Sequence, residues 1–504
     1  MLASAFARAG LGSLKYQTSL CSRALFSKTF KPSGSPFSTC ARAQWPALLK
    51  LSNALGVSPR SFHRAKPSSI KPTVVPLTER LHATRPRFFF SNAVQPSGGA
   101  ASPVLPVLSP ASVGHWLKGC GALVFAVIVV GGVTRLTESG LSITEWHPIA
   151  GCLPPSSEEA WDVEFDKYKA TPEFKILNQS ITMDEFKSIF YMEWSHRVLG
   201  RLIGVAFIVP AAYFAIRKKL TASLPKKLLG MALLIAAQGV IGWYMVKSGL
   251  EDSIIEVNAV PRVSQYRLAL HLGTAFVLYG GLMGTGLAAL SDWNWAHGGL
   301  WSKVVDGRSP RDVIRNPLVR KFKKFTWAMT ALIFLTAISG AFAAGLDAGM
   351  MYDEFPYMGG RLVPPKDELL DRAYAKKSDC SDLWWRNILE NPTMTQFNHR
   401  WLAVSTYIAT GALCATTLLP SYRAVLPPLT KHFAHVAFGV ANIQLALGIS
   451  TLLYFVPVSL AACHQAGSVA LFTLMVHILT SLRRPGQAAR TWRQAWAMAS
   501  KKSH

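Results

Sequence analysis

Two short stretches hold the side chains best suited to chemistry. "YMEWSHRVLGR" at 191–201 contains Glu193, His196 and Arg197; "TQFNHRWLAVS" at 395–405 contains Gln396, His399 and Arg400. A neutral imidazole is a good metal ligand. An acid three residues earlier lies on the same helix face. Beside an iron site it can move protons or stabilise positive charge developing on a carbon. Gln396 keeps the shape and hydrogen bonding of that acid but cannot titrate. A guanidinium fork suits carboxylates, so Arg197 and Arg400 are candidates to hold an acidic ligand group. Arg135 is a third. Two further histidines, His271 and His464, lie at matching places downstream.

The elements that must position these residues are apolar. Runs near 114–134, 197–216, 227–246, 268–290, 325–346, 400–419, 433–456 and 459–482 each approach the ~20 residues that cross a bilayer. An all-α polytopic membrane protein of eight spans is predicted, and histidines and arginines at span mouths are functional candidates by default. The connections alternate in charge. Arg217, Lys218, Lys219, Lys226 and Lys227 sit between spans two and three without an acid, and "RRPGQAARTWRQ" follows span eight, whereas the loops 135–192 and 347–395 are long and acid-rich. The basic side takes both termini.

The chain also repeats itself. Glu193-x-x-His196-Arg197 matches Gln396-x-x-His399-Arg400 at an offset of 203 residues, and Gln238-x-x-x-Gly242 matches Gln444-x-x-x-Gly448 at 206. Gly140 and Glu145 match Gly349 and Glu354 at 209, and His271 corresponds to His464. Matches in order on equivalent spans predict two tandem, pseudo-symmetric four-helix bundles, at 110–291 and 322–482, joined by a linker at 292–321. Within each bundle two histidines then share one end and one depth, the arrangement that six-coordinate heme needs. His435 and His477 share the opposite edge, but their first-copy counterparts are Leu229 and roughly Gly284, so they read as helix residues. His115, His147, His297 and His432 read as peripheral. Thr182-x-x-Glu185 and Thr393-x-x-Gln396 both read as capping boxes, the first placing Glu193 about three turns into its helix.

Bulk properties set the context. Half of the 504 residues are hydrophobic and 16% are charged, which suits a membrane protein better than a soluble enzyme. The net charge of +26 is uneven: residues 1–100 contain fourteen Lys/Arg and one acid, Glu79. That segment lacks a long apolar core and can form a basic amphipathic helix, so 1–95 reads as a mitochondrial transit peptide. The inner membrane follows as location, with both termini, including the basic tail 483–504, in the matrix. No basic folded face for nucleic acid is written. The seven cysteines contain no CxxC, which excludes a zinc knuckle and a c-type heme attachment; Cys152 and Cys380 fall in loops and could pair. Small-residue runs such as "GGLMGTG" could pack within a bundle or between protomers of a homo-oligomer.

The strings "GGVTRLTESGLSITEWHPIAGCLPP", "FYMEWSHRVLGR", "LALHLGTAF", "DAGMMYDEFPYMGG", "FNHRWLA" and "ANIQLALGISTLLYFVPVSLAACHQAGS" resemble the heme A synthase family (Cox15/CtaA), in its mitochondrial type, over about 110–482. The resemblance implies oxidation of the C8 methyl of heme O to a formyl group by successive hydroxylations, giving heme A for cytochrome c oxidase. By motif, His196 and His271 would bind the substrate heme, His399 and His464 would ligate a heme b cofactor, and Glu193 would be the catalytic acid. Ferredoxin with its reductase is the implied electron source; heme O synthase and oxidase assembly factors are implied partners. Bacterial members often carry a cysteine pair in the first outer loop; this loop has only Cys152, which argues against a thiol step there. A diheme electron carrier without its own chemistry is the alternative reading.

Overall fold

The computed structural model describes residues 105–147, 153–251, 254 and 260–502. The segment 1–95 and Cys152 lie outside these residues, and Cys380 is exposed and unpaired among them. The described chain is helical, with one isolated β-bridge, Met358 to Arg361. Eight long helices form its body: α1 Ala111–Leu136, α2 Met183–Ile216, α3 Leu224–Lys247, α4 Gln265–Ala296, α5 Pro317–Gly345, α6 Pro392–Thr416, α7 Pro428–Leu453 and α8 Val458–Ser481. A further amphipathic helix, Gln487–Lys502, docks through Trp492 Nε1, which donates to the Pro106 carbonyl at 2.8 Å.

Seven of the eight are long and apolar enough to cross a membrane; α6 is the exception. Its second turn spends Gln396, Asn398, His399 and Arg400 on other work, and threonines recur along it. Its start also differs from the expected capping box. Asn391 is the N-cap and accepts from Thr393 N at 2.9 Å, with Pro392 at the first helical position. Gln396 is therefore free to reach across to a loop. The other box forms as read: the Thr182 hydroxyl accepts from Glu185 N, and the Glu185 carboxylate from Thr182 N.

That cap starts α2 well before its apolar run. At ~1.5 Å per residue its 34 residues reach ~50 Å, longer than the ~30 Å bilayer core. The excess carries Phe186 and Phe190, which pack with Trp161 and Tyr168 into a small aromatic cluster. Glu173 is buried beside it and accepts from the Tyr168 hydroxyl at 2.9 Å and Asn178 Nδ2 at 3.2 Å. Burial pushes its carboxyl up to about 8.

Each helix of the first four packs on its chain neighbour or closes the set: α1 on α2 and α4, α3 on α2 and α4. The same pattern joins α5, α6, α7 and α8. Across the two sets α4 meets α5 and α8, and α8 meets α1, burying residues such as Phe276, Leu282, Met329 and Met475 in one apolar core. Ion pairs pin both ends. Asp347, held at a left-handed φ of 52°, accepts from Arg135 at 2.8 Å and Arg262 at 3.1 Å. At the far ends of α4 and α8, Arg483 forks onto Asp292 at 2.8 and 2.6 Å.

Candidate functional site

The structure brings the four predicted histidines together in two pairs. His196 on α2 faces His271 on α4, with ring centres 6.5 Å apart and planes at 70°. His399 on α6 faces His464 on α8 at 6.4 Å and 86°. A metal–imidazole bond of about 2 Å, with the ring centre about 1.2 Å behind the nitrogen, sets two opposed ligand rings about 6.4 Å apart. Both pairs have the separation that one iron between them requires. The rings are half-buried; the backbone of Val127 lies beside the His196 ring and that of Gln444 beside the His464 ring, whereas Nδ1 of His271 is buried without a partner. His399 Nδ1 instead meets the Ser339 hydroxyl at 2.8 Å. Among the described residues, no three His, Cys, Asp or Glu side chains converge as a non-heme metal cluster.

Sequence reasoning missed what stands beside the rings. Each histidine lies against a glycine of the neighbouring helix: a Cβ added at Gly131, Gly242, Gly340 or Gly448 would sit 2.7, 3.3, 3.1 or 2.8 Å from Cε1 of His196, His271, His399 or His464. Only a bare backbone admits a ring that closely. Gly242 and Gly448 were visible in the repeat with their glutamines, and those amides do support the ligand helices. Gln238 Nε2 donates to the His271 carbonyl at 3.3 Å, and Gln444 Nε2 to that of His464 at 2.8 Å. Gly131 and Gly340 are also separated by 209 residues, the offset of Gly140 and Gly349, and that was the signal available.

The Glu and Arg residues point to the loops that follow α1 and α5. Arg197 donates to the carbonyls of Ile143 at 2.7 Å and Glu145 at 2.8 Å. Arg400 donates to those of Tyr352 at 3.0 Å and Glu354 at 2.7 Å, the same two positions in the repeat. Glu193 is 3% exposed and both its oxygens are engaged: one by Arg197 at 2.6 Å, the other by the Ser142 hydroxyl at 2.7 Å and Ile143 N at 2.9 Å. Gln396 donates to the Tyr352 carbonyl at 2.9 Å. Arg135, besides Asp347, has a buried Nε without a partner. The histidines of the opposite edge do not pair: His435 meets the Thr417 hydroxyl at 2.9 Å, and His477 lies against the Phe433 ring at 4.6 Å.

Residues 114–476 match the family described as COX15-CtaA, cytochrome oxidase assembly protein. The heme A synthase COX15 of Saccharomyces cerevisiae is 47% identical over 376 residues, covering 74% of this chain and 76% of that protein. The COX15 protein of Homo sapiens is 43% identical, over 74% of this chain and 83% of its own length. A heme A synthase–mitochondrial ferredoxin fusion protein of Schizosaccharomyces pombe is 46% identical, over 78% of this chain and 63% of the fusion. With paired histidines, repeated glycine cradles and a family match over most of its helical body, the chain belongs to the COX15-CtaA family of cytochrome oxidase assembly proteins.

Proposed function

We propose that this chain is a heme A synthase of the mitochondrial inner membrane, oxidising the C8 methyl of heme O to the formyl group of heme A. The observation that carries the reading is the doubled histidine pair, each at the separation one iron needs and each cleared by glycines. The family match and the names of its relatives supply the reaction. The helices form two tandem four-helix bundles, 110–291 and 322–482, with α6 as the eighth span and both termini in the matrix. His196 and His271 bind the substrate heme O; His399 and His464 hold a heme b cofactor, which when bound supplies one-electron redox chemistry.

The chain's own residues position and enclose. The imidazoles would hold the hemes, the glycines let ligand helices close on their neighbours, and Arg197 and Arg400 pin a loop beside each site and would be the residues to meet propionates. Arg135 serves the same end through its unpaired Nε. Glu193 gives the first site a carboxylate that the second lacks. In its present contacts that carboxylate holds Arg197, the Ser142 hydroxyl and the Ile143 N–H, so its proton chemistry requires the loop to release one oxygen. A ferredoxin is the electron donor we favour, because one relative is fused to one.

Heme extracted from cells expressing Glu193→Gln tests the reading. The synthase reading expects heme O or its hydroxylated form to accumulate at normal protein level. The similar spacing of both pairs favours one rival, a diheme electron carrier, which expects heme A to be unchanged. Activity loss alone does not discriminate, since a glutamine amide would face the Ile143 N–H or the Ser142 hydroxyl. The accumulated heme does.

A further inference from the structure

The two histidine pairs are joined by one asymmetric contact. Gln465, next to His464 on α8, reaches α1 and donates Nε2 to the Ile128 carbonyl at 3.2 Å. It can do so because residue 132 is glycine: a Cβ there would lie 1.6 Å from Gln465 Oε1. The preceding residue, Gly131, is the one against which the His196 ring rests. Two adjacent glycines of α1 thus receive one residue from each site. The matching contact in the other direction is absent. Leu272 stands where the repeat would place a second Gln465, and the buried Ala341 where it would place a second Gly132.

We propose that Gln465 is a positioning residue, a strut that fixes the second histidine pair against the wall of the first through Gly132. This rests on the heme-binding reading above. His464 and the strut are consecutive residues, as are the strut's seat, Gly132, and the His196 cradle, Gly131. A helix is stiff over that length, so movement of α1 at one site is delivered to the ligand at the other. The apolar Leu272 and Ala341 have no donor to make the equivalent bond.

The test uses full-length protein purified with its hemes. Gly132→Ala displaces the Gln465 amide and breaks its bond to Ile128; Gln465→Ala removes the amide. Each is expected to shift the low-spin spectrum and midpoint potential of the heme at His399 and His464, although neither touches a ligand. Because both remove the same strut, Gly132→Ala/Gln465→Ala should shift these no further than Gly132→Ala alone. Gly131→Ala, which meets His196, should disturb the first site whether or not Gln465 is present, but should reach the spectrum of the second site only when Gln465 is intact. Additive effects of Gly132→Ala and Gln465→Ala, or an unshifted spectrum and potential in Gln465→Ala, would overturn the strut. Should a variant be too unstable to purify, Gln465→Met keeps the volume without the donor and must itself shift the spectrum and potential from those of the wild type; an unshifted Gln465→Met overturns the strut. The heme reading fails separately, if His464→Ala keeps the bis-histidine spectrum.

Discussion

Gly131→Ala is the sharpest test of the glycine cradles. The added Cβ would sit 2.7 Å from His196 Cε1, where carbons ordinarily rest about 3.5–4.0 Å apart. Relieving this overlap moves the ring by about 1 Å, whereas metal–ligand distances tolerate only about 0.2 Å. The fold itself changes little: overpacking costs about 1–3 kcal/mol, while alanine gains about 1 kcal/mol over glycine in a helix. Folded protein should accumulate with the first heme site empty or high-spin. The same reasoning ranks the four cradles, with Gly131 and Gly448 at 2.7 and 2.8 Å more sensitive than Gly340 and Gly242 at 3.1 and 3.3 Å. Gly204, on the helix of His196 but with nothing within 4 Å of an added Cβ, is the control and should tolerate alanine. Heme content per protein and the ratio of low-spin to high-spin absorbance read the outcome. Normal low-spin heme in Gly131→Ala, or a larger loss in Gly204→Ala, would refute the cradle.

Further predictions concern regions away from the iron. Because the folded carboxyl of Glu173 titrates near 8 rather than its ordinary 4.5, the fold favours its neutral form. That contribution is complete below the unfolded value and is lost as pH rises through about 8. Protection factors in 157–190, corrected for the intrinsic pH dependence of amide exchange, should fall over that range, and Glu173→Gln should abolish the fall. Cys380 is exposed in the loop between α5 and α6; a membrane-impermeant maleimide should label it in mitoplasts, and labelling only after the inner membrane is opened would invert the proposed topology. His435→Ala and His477→Ala should each retain the full bis-histidine spectrum, since each ring already has a different protein neighbour; loss of a heme in either would move the second site.

The histidines were legible because duplication writes them twice, and a doubled pattern survives where a lone histidine would read as core. Of the glycines against them, Gly242 and Gly448 stood out in the repeat, but their role as cradles did not, because glycine is common in membrane helices and its value here is the absence of a side chain. Helix α6 shows another limit. The capping-box pattern starts it two residues late, at Thr393 and not at the Asn391 cap, and its polar second turn keeps it out of the set of seven apolar spans. The direction of Glu193 was beyond reach as well: spacing puts it on the histidine face, but only the folded loop shows both oxygens already engaged.

The arginine contacts have an evolutionary corollary. Arg197 and Arg400 grip main-chain carbonyls, which every residue supplies, and not the side chains of the loops they hold. A duplicated loop held in that way is free to change its side chains without losing its anchor. "GLSITEWHP" at 140–148 and "GMMYDEFPY" at 349–357 keep only the glycine and the glutamate in common while remaining fastened at equivalent positions. Such an anchor lets one copy take on a new chemical task while its twin keeps the old one.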